Sequence, residues 1–523
     1  MNNRLKDAVD SIPVPDGLEQ RVLHQLRRQA QPKPAERRIR LLYPLAAAAV
    51  AAAACVAVLA VSMAGHRTTL PVNSAPTEDV LPASDFAIAT QPDGVLSSLP
   101  DRSSPATSTL RNVSTGDGLS TADNTQQLAH IPQRLLDTTV RFADWGEASA
   151  DRYQLVVKKF TEDTGIRVEM QRYDETTFVQ QVARQIAAGN APDIAACNGT
   201  FPQALELVQP LPSIFNIHDG FWDERVSEAT AVGGRHYFVN SYNSPFTGGY
   251  VVYYNKRLYN NYGLTSPEDY YKRGEWTYES LYRCMQDAVH YGYRGGITEG
   301  LLLAEQMGVS LLSYDRSTGT FTGTATETGL IEPMEYMAQA VKDGLSGGYS
   351  IQSFADGRVG ICMAGTYGLK YNGYFQGLSQ TDIGVVPLPD TYNSIRLGYM
   401  PVGYRGYGIC KGAENPDGAY YFLRYFLDMD KYADAGADIF ANKVLEKYYR
   451  QTQLPLFQQS TLCFEYYAGV LRLTDSSWDG SQWQTVRRGA PDSIAAALAA
   501  QQAGVDEAAR LATALVRAQV AQA

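Results

Sequence analysis

The sequence predicts an α/β protein, and three observations carry that reading. At residue 138 the composition shifts abruptly from polar and small residues to mixed apolar runs. From there, short apolar runs alternate with segments whose apolar residues recur at helical spacing. Their order is strand, helix, strand, helix, strand, which a parallel sheet with crossover helices satisfies.

The chain of 523 residues exceeds one compact domain. Its net charge of −10 argues against nucleic acid as a partner, and the acidic excess lies beyond residue 40, because residues 1–40 are net basic. Within 1–40, Leu18, Val22 and Leu26 have helical spacing, and Asp16 with Glu19 offers a loose capping box. This cytoplasmic basic helical segment precedes residues 41–65, LLYPLAAAAVAAAACVAVLAVSMAG, which carry no charge. As a helix at about 1.5 Å per residue that run reaches about 37 Å, longer than the roughly 30 Å bilayer core. The preceding Arg37, Arg38 and Arg40 place the N-terminus inside by the positive-inside rule. Forty residues before the run are too many for a cleaved signal peptide, and the apolar run continues past Cys55, against a lipoprotein start there. The expectation is a single-pass membrane helix at 41–65, with the C-terminal domain extracellular.

Residues 66–135, rich in Ser, Thr, Pro, Asp and Asn, are expected to be a disordered linker. About 70 such residues have a root-mean-square reach near 45 Å. Beyond them, 138–145 reads as a strand and 151–163 as a helix with Tyr153, Val156, Val157 and Phe160 on one face. Residues 165–170 read as a second strand, 178–188 as a helix led by Val179, Val182 and Ile186, and 191–197 as a third strand. In parallel sheets ligands bind beyond the carboxyl ends of the strands, which points to Trp145-Gly146-Glu147 and Asn198-Gly199-Thr200. Trp276 reads as a packing residue at a helix entry capped by Thr277, residues 420–427 as a core helix, and residues 491–523 as a C-terminal helix.

Several stretches then occur in a telling order: FTEDTGIRVEMQ, QQVARQIAAGNAPDIAACNG, GGYVVYYNKRLYNNYGLTSPEDYYKRGEWTYESLYRCMQDA, SFADGRVGICMAGTYG, DIGVVPLPD and GYGICKGAENPDGAYYFLRYFLD. Together they resemble the extracellular solute-binding proteins of ABC transporters, family 1, the group containing maltose- and other sugar-binding proteins. The resemblance spans roughly 138–470. It implies a two-lobed periplasmic-binding-protein-like fold (class II) at 136–490, with lobe one about 138–252 and 402–445 and lobe two about 255–398 and 448–490. It further implies a hinge at Tyr253, Tyr254 and Gly403. Ligand contacts are expected from Trp145, Glu147, Asn198, Gly199 and Tyr367, the last standing where the family carries a Gly-x-Trp tryptophan, and from Tyr242, Asn243, Tyr399 and Tyr404 near the crossovers. A separate run, IPVPDGLEQRVLHQL, resembles the juxtamembrane segments of membrane-anchored anti-sigma factors.

A sugar site wants flat aromatics for C–H faces and planar polar groups for hydroxyls, and the chain's 34 tyrosines against 17 phenylalanines suit that need. No catalytic motif of the GxSxG, HExxH or Walker type is present, so no enzyme is expected. The five cysteines beyond Cys55 form no CxxC pair and read as buried free thiols, with a single disulfide open but unassignable; no metal and no cofactor are expected. The function that the resemblance implies is capture of a small solute, expected to be a carbohydrate, for uptake by ABC permease transmembrane subunits. The alternative is a ligand-sensing receptor signalling through its cytoplasmic N-terminal segment.

Overall fold

The computed structural model describes residues 121–145, 151–246, 248–347, 351–370, 373–375, 379, 381–471, 473 and 493–522, all within the compact unit Thr109–Ala523. The basic segment 1–40, the apolar run 41–65 and the linker up to 120 lie outside the described residues. Among the described residues no helix is long and apolar enough to cross a membrane.

The last part of the expected linker is ordered, which corrects its boundary. Helix α1, Thr121–Leu128, packs on the folded unit through Asn124, whose amide donates to Asp428 Oδ2 at 2.8 Å and accepts from Arg424 Nε at 2.9 Å. Next come β1 (Thr139–Asp144), α2 (Asp151–Thr164), β2 (Arg167–Arg172), α3 (Phe178–Ala187) and β3 (Ile194–Asn198). The apolar stripe on α2 explains its docking: Tyr153, Val156, Val157 and Phe160 are all buried. Gly165, at φ +71, stops the helix and turns the chain into β2, as a left-handed glycine can without penalty. β1 pairs in parallel with β2 and β3.

The second half of the fold begins with β4 (Tyr250–Asn255), α4 (Tyr278–His290) and β5 (Arg294–Ile297). Thr277 caps α4 in a capping box with Ser280, and Trp276 is buried with its indole N–H on Pro387 O at 2.8 Å. A crossover follows, made of α5 (Gly300–Gln306), the hairpin β6 (Leu312–Asp315) and β7 (Thr320–Gly323), and α6 (Thr328–Lys342). It leads to β8 (Val359–Gly365) and β9 (Ile383–Pro387). β8 and β9 flank β4 antiparallel, β5 joins β8 in parallel, and the order is β5-β8-β4-β9. All of β4, from Tyr250 on, therefore belongs to the second sheet.

After the small hairpin β10 (Thr391–Tyr392) and β11 (Ile395–Arg396), the chain returns through β12 (Tyr399–Gly403) to β13 (Arg405–Ile409). β13 pairs antiparallel with β3 and completes the first sheet, β13-β3-β1-β2. Helix α7 (Pro416–Phe426) covers it, with Phe142 of β1 edge-on to Phe422 and Phe426 at 5.7 and 5.5 Å. The chain then runs to β14 (Thr461–Glu465), parallel to β12, and ends in α8 (Ile494–Gln522). α8 seals a shared core in which Val505, Ala508 and Ala512 meet Phe201 and Leu205 from the first half and Phe321 and Leu330 from the second. The five described cysteines are free thiols.

Candidate ligand-binding site

Parallel pairing puts the carboxyl ends of β1, β2 and β3 side by side. Trp145, Arg172 and Asn198 stand at those ends, and all three line a cavity of about 750 Å³. The facing wall comes from the second sheet: Tyr250 at the head of β4, Gly365 at the tail of β8, then Thr366, Tyr367, Lys370 and Tyr374. Val402 and Gly403 of β12, Arg405 of β13 and Phe464 of β14 form the floor between them.

The aromatic surfaces are held from behind. The Phe246 ring stacks on Phe426 at 5.3 Å and carries Lys370 Nζ at 4.7 Å and Arg405 Cζ at 4.5 Å, a cation–π arrangement that fixes both cations at the cavity edge. Arg405 Nε also donates to the Tyr407 hydroxyl at 3.0 Å. Tyr367 and Tyr374 meet edge to face at 5.2 Å, and Phe375 ties this pair to Tyr253 at 4.7 Å. Phe457 is held by Arg225, whose guanidinium lies 4.9 Å from its ring, forks onto Asp223 at 2.8 and 2.7 Å and donates to the carbonyls of Phe457 and Ser460. The Trp145 indole Nε1 is buried with no hydrogen-bond partner among the described residues.

Gly248 and Gly249 connect the walls. Both have positive φ, +120 and +65, and a Cβ on Gly249 would lie 2.6 Å from the Pro401 carbonyl oxygen of β12. Only glycine lets the entry to β4 approach the crossing strand so closely.

Of the expected contacts, Trp145, Asn198 and Tyr367 line the cavity, as does Gly403, which was expected at the hinge; Glu147 lies outside the described residues. The others are placed elsewhere. Gly199 forms the turn after β3, at φ +63, with its N–H on Tyr404 O at 3.0 Å. Tyr404 is a core residue with its hydroxyl on Thr230 at 2.8 Å and Val226 O at 3.2 Å, and burial drives that phenol well above its ordinary pKa. Tyr242 lies under the Arg225 guanidinium at 5.4 Å, and burial pushes its phenol up to about 12. Asn243 donates to Asp428 and Asp430 at 2.9 and 3.3 Å, away from the cavity. Tyr399 is exposed, its ring over Gly308. Tyr253 and Tyr254, expected at the hinge, sit inside β4 with strands paired on both sides. Tyr253 instead braces the opposite wall, its hydroxyl donating to Gly365 O at 3.0 Å.

Sequence reasoning missed Arg172, Glu175, Phe246, Tyr250, Lys370 and Arg405, which also line the cavity. Arg172 was within reach, since it ends β2 just as Trp145 follows β1 and Asn198 ends β3. The others carry no local signal.

The family profile described as bacterial extracellular solute-binding protein matches residues 145–433, more than half of the chain. No curated protein matches the sequence. Among solved structures, an ABC substrate-binding protein from Listeria monocytogenes, in complex with cycloalternan, aligns with TM-score 0.52 at 18% identity, over 71% of this chain and 98% of that one. A cyclic alpha-maltosyl-1,6-maltose binding protein from Arthrobacter globiformis aligns with TM-score 0.49 at 16% identity, over 74% of this chain and 99% of that one.

Proposed function

The chain belongs to the bacterial extracellular solute-binding proteins, a family of binding proteins rather than enzymes, and from that premise we propose that its solute is a carbohydrate gripped in the cavity between the two sheets. The observation that carries this reading is the lining itself. Trp145, Tyr250, Tyr367 and Tyr374 offer flat faces to sugar C–H surfaces, while Asn198, Arg172 and Glu175 offer hydrogen bonds to hydroxyls. A volume near 750 Å³ falls within the ordinary range for small-molecule sites, about 300–1,000 Å³.

In this reading Trp145 and Tyr367 stack on opposite faces of the solute, and the Trp145 indole N–H gains a solute oxygen as its partner. The pivot for closing the walls is Gly248–Gly249, where positive-φ glycines meet β12, together with Gly403. An ABC permease receives the solute. Residues 41–65 tether the domain to the outer face of the cell membrane, with 1–40 inside, a proposal supported by the uncharged run and its basic flank. A receptor that reports occupancy through residues 1–40 is the second reading; the docking of α1 on α7 through Asn124 favours it, because the tether enters the domain through an ordered joint.

A thermal-shift screen of the full-length chain against neutral and charged oligosaccharides, with amino acids and peptides as controls, tests the proposal. A sugar at 100 times its Kd stabilises the native state by about 2.7 kcal/mol and raises Tm. A panel in which only amino acids or peptides raise Tm would overturn it.

A further inference from the structure

Arg225 stands between two segments that line the cavity. It belongs to the short helix Glu224–Ala229, capped by Asp223, and the next residue, Val226, is a cavity residue. Its guanidinium forks onto the fully buried Asp223 at 2.8 and 2.7 Å, and Asp223 is anchored in turn by its N–H on Asn240 O at 2.8 Å. The third nitrogen, Nη1, donates to the carbonyls of Phe457, Gln458 and Ser460 at 2.9, 3.3 and 2.9 Å. These carbonyls lie at the end of the short helix Leu454–Gln459, where backbone acceptors have no partner within the helix and a cation complements the helix dipole. Phe457 of that helix lines the cavity, with the guanidinium 4.9 Å from its ring. Gln458 adds a second tie, its Nε2 donating to Tyr242 O at 3.0 Å. Directly after the helix, β14 begins at Thr461 and carries the cavity residue Phe464.

A buried ion pair contributes little net stability, because taking both charges out of water offsets their attraction. What this pair contributes is direction. A planar fork held on Asp223 aims its remaining nitrogen at one place, the end of the helix that carries Phe457. We propose that Arg225 is a positioning residue of the solute site: it fixes Phe457 in the cavity wall beside Val226, so that this part of the wall is formed before the solute arrives. This rests on the reading that a carbohydrate occupies the cavity. A preformed wall spares binding the entropy of ordering a large side chain. Arg225 and Phe457 are 232 residues apart in sequence, so no local pattern marks the role.

Two measurements test the proposal. Full-length wild type, Arg225→Lys, Phe457→Leu and the double variant are titrated calorimetrically with maltotetraose and mannobiose, and the tighter of the two is carried through. Lysine keeps the charge but cannot hold Asp223 and the helix end together; it is expected to weaken binding about tenfold. Phe457→Leu is expected to cost about as much, with the double variant no weaker than the worse single one. Asp223→Asn, which still caps its helix but loosens the fork, is expected to weaken binding in the same direction. In parallel, 4-fluorophenylalanine is placed at position 457 of the solute-free full-length chain, with and without Arg225→Lys. One sharp fluorine resonance is expected with arginine, and a broadened or split one with lysine. Additive losses, an unchanged Kd for Arg225→Lys or Asp223→Asn whatever the solute-free Tm, or identical fluorine spectra would overturn the proposal. If wild type binds neither sugar, the carbohydrate reading falls, and the fluorine spectra alone decide whether Arg225 positions Phe457.

Discussion

The two walls of the cavity are built by different rules. On the first, three parallel strands end together, and the residues at their ends, Trp145, Arg172 and Asn198, reach the cavity because the topology delivers them there. On the second, β4 is flanked by antiparallel partners, and Tyr367, Lys370 and Tyr374 reach the cavity from a loop held by distant contacts, such as the Tyr253 hydroxyl on Gly365 O. A site made by topology tolerates change around it, whereas a site made by bracing depends on residues that never touch the solute.

That contrast can be broken at several points. The largest effect is expected from Phe142→Ala, which empties the aromatic cluster of Phe422, Phe426 and Tyr407 beneath the first wall. It should cost about 3–5 kcal/mol in urea unfolding, and a loss below about 1 kcal/mol would mean that this sheet does not carry the core. Gly249→Ala is expected to cost about 2 kcal/mol or more, since a side chain there combines a left-handed backbone with a 2.6 Å approach to Pro401 O; an unchanged midpoint would remove the reason for placing the pivot there. Tyr253→Phe sharpens the comparison more finely. It deletes only the hydroxyl on Gly365 O and should cost about 1 kcal/mol of stability while weakening solute binding through the braced wall. The smallest effect is expected from Arg134→Ala, which breaks the exposed pair with Asp417 at 2.7 Å and should change stability by less than about 1 kcal/mol, with solute binding unaltered.

The same contrast explains what the sequence disclosed. The helical stripe of Tyr153, Val156, Val157 and Phe160 and the order of strands placed the first sheet, and with it Trp145 and Asn198, because periodicity and topology are local properties. Thr277 as a cap and Trp276 as a packing residue were legible for the same reason. Tyrosine was the weak point. Its apolar ring and polar tip serve equally in a core, as at Tyr404 with Thr230, under a cation, as at Tyr242, or in a cavity wall, as at Tyr250 and Tyr367. Which of these applies depends on tertiary contacts, such as Tyr404 on Thr230, 174 residues away in sequence, and no local pattern encodes them. Tyr253 and Tyr254, expected at the hinge, adjoin the crossover in sequence but are locked between strands in space, a pairing that no local pattern encodes.

Calorimetric titration of the full-length chain, Trp145→Ala and Tyr367→Ala with the same oligosaccharide tests the central claim most directly, since these residues stand on opposite walls. If the solute is gripped between the two sheets, each substitution alone weakens binding by tenfold or more, with both variants unfolding cooperatively. Undiminished affinity in both variants would contradict the account and move the solute out of this cavity.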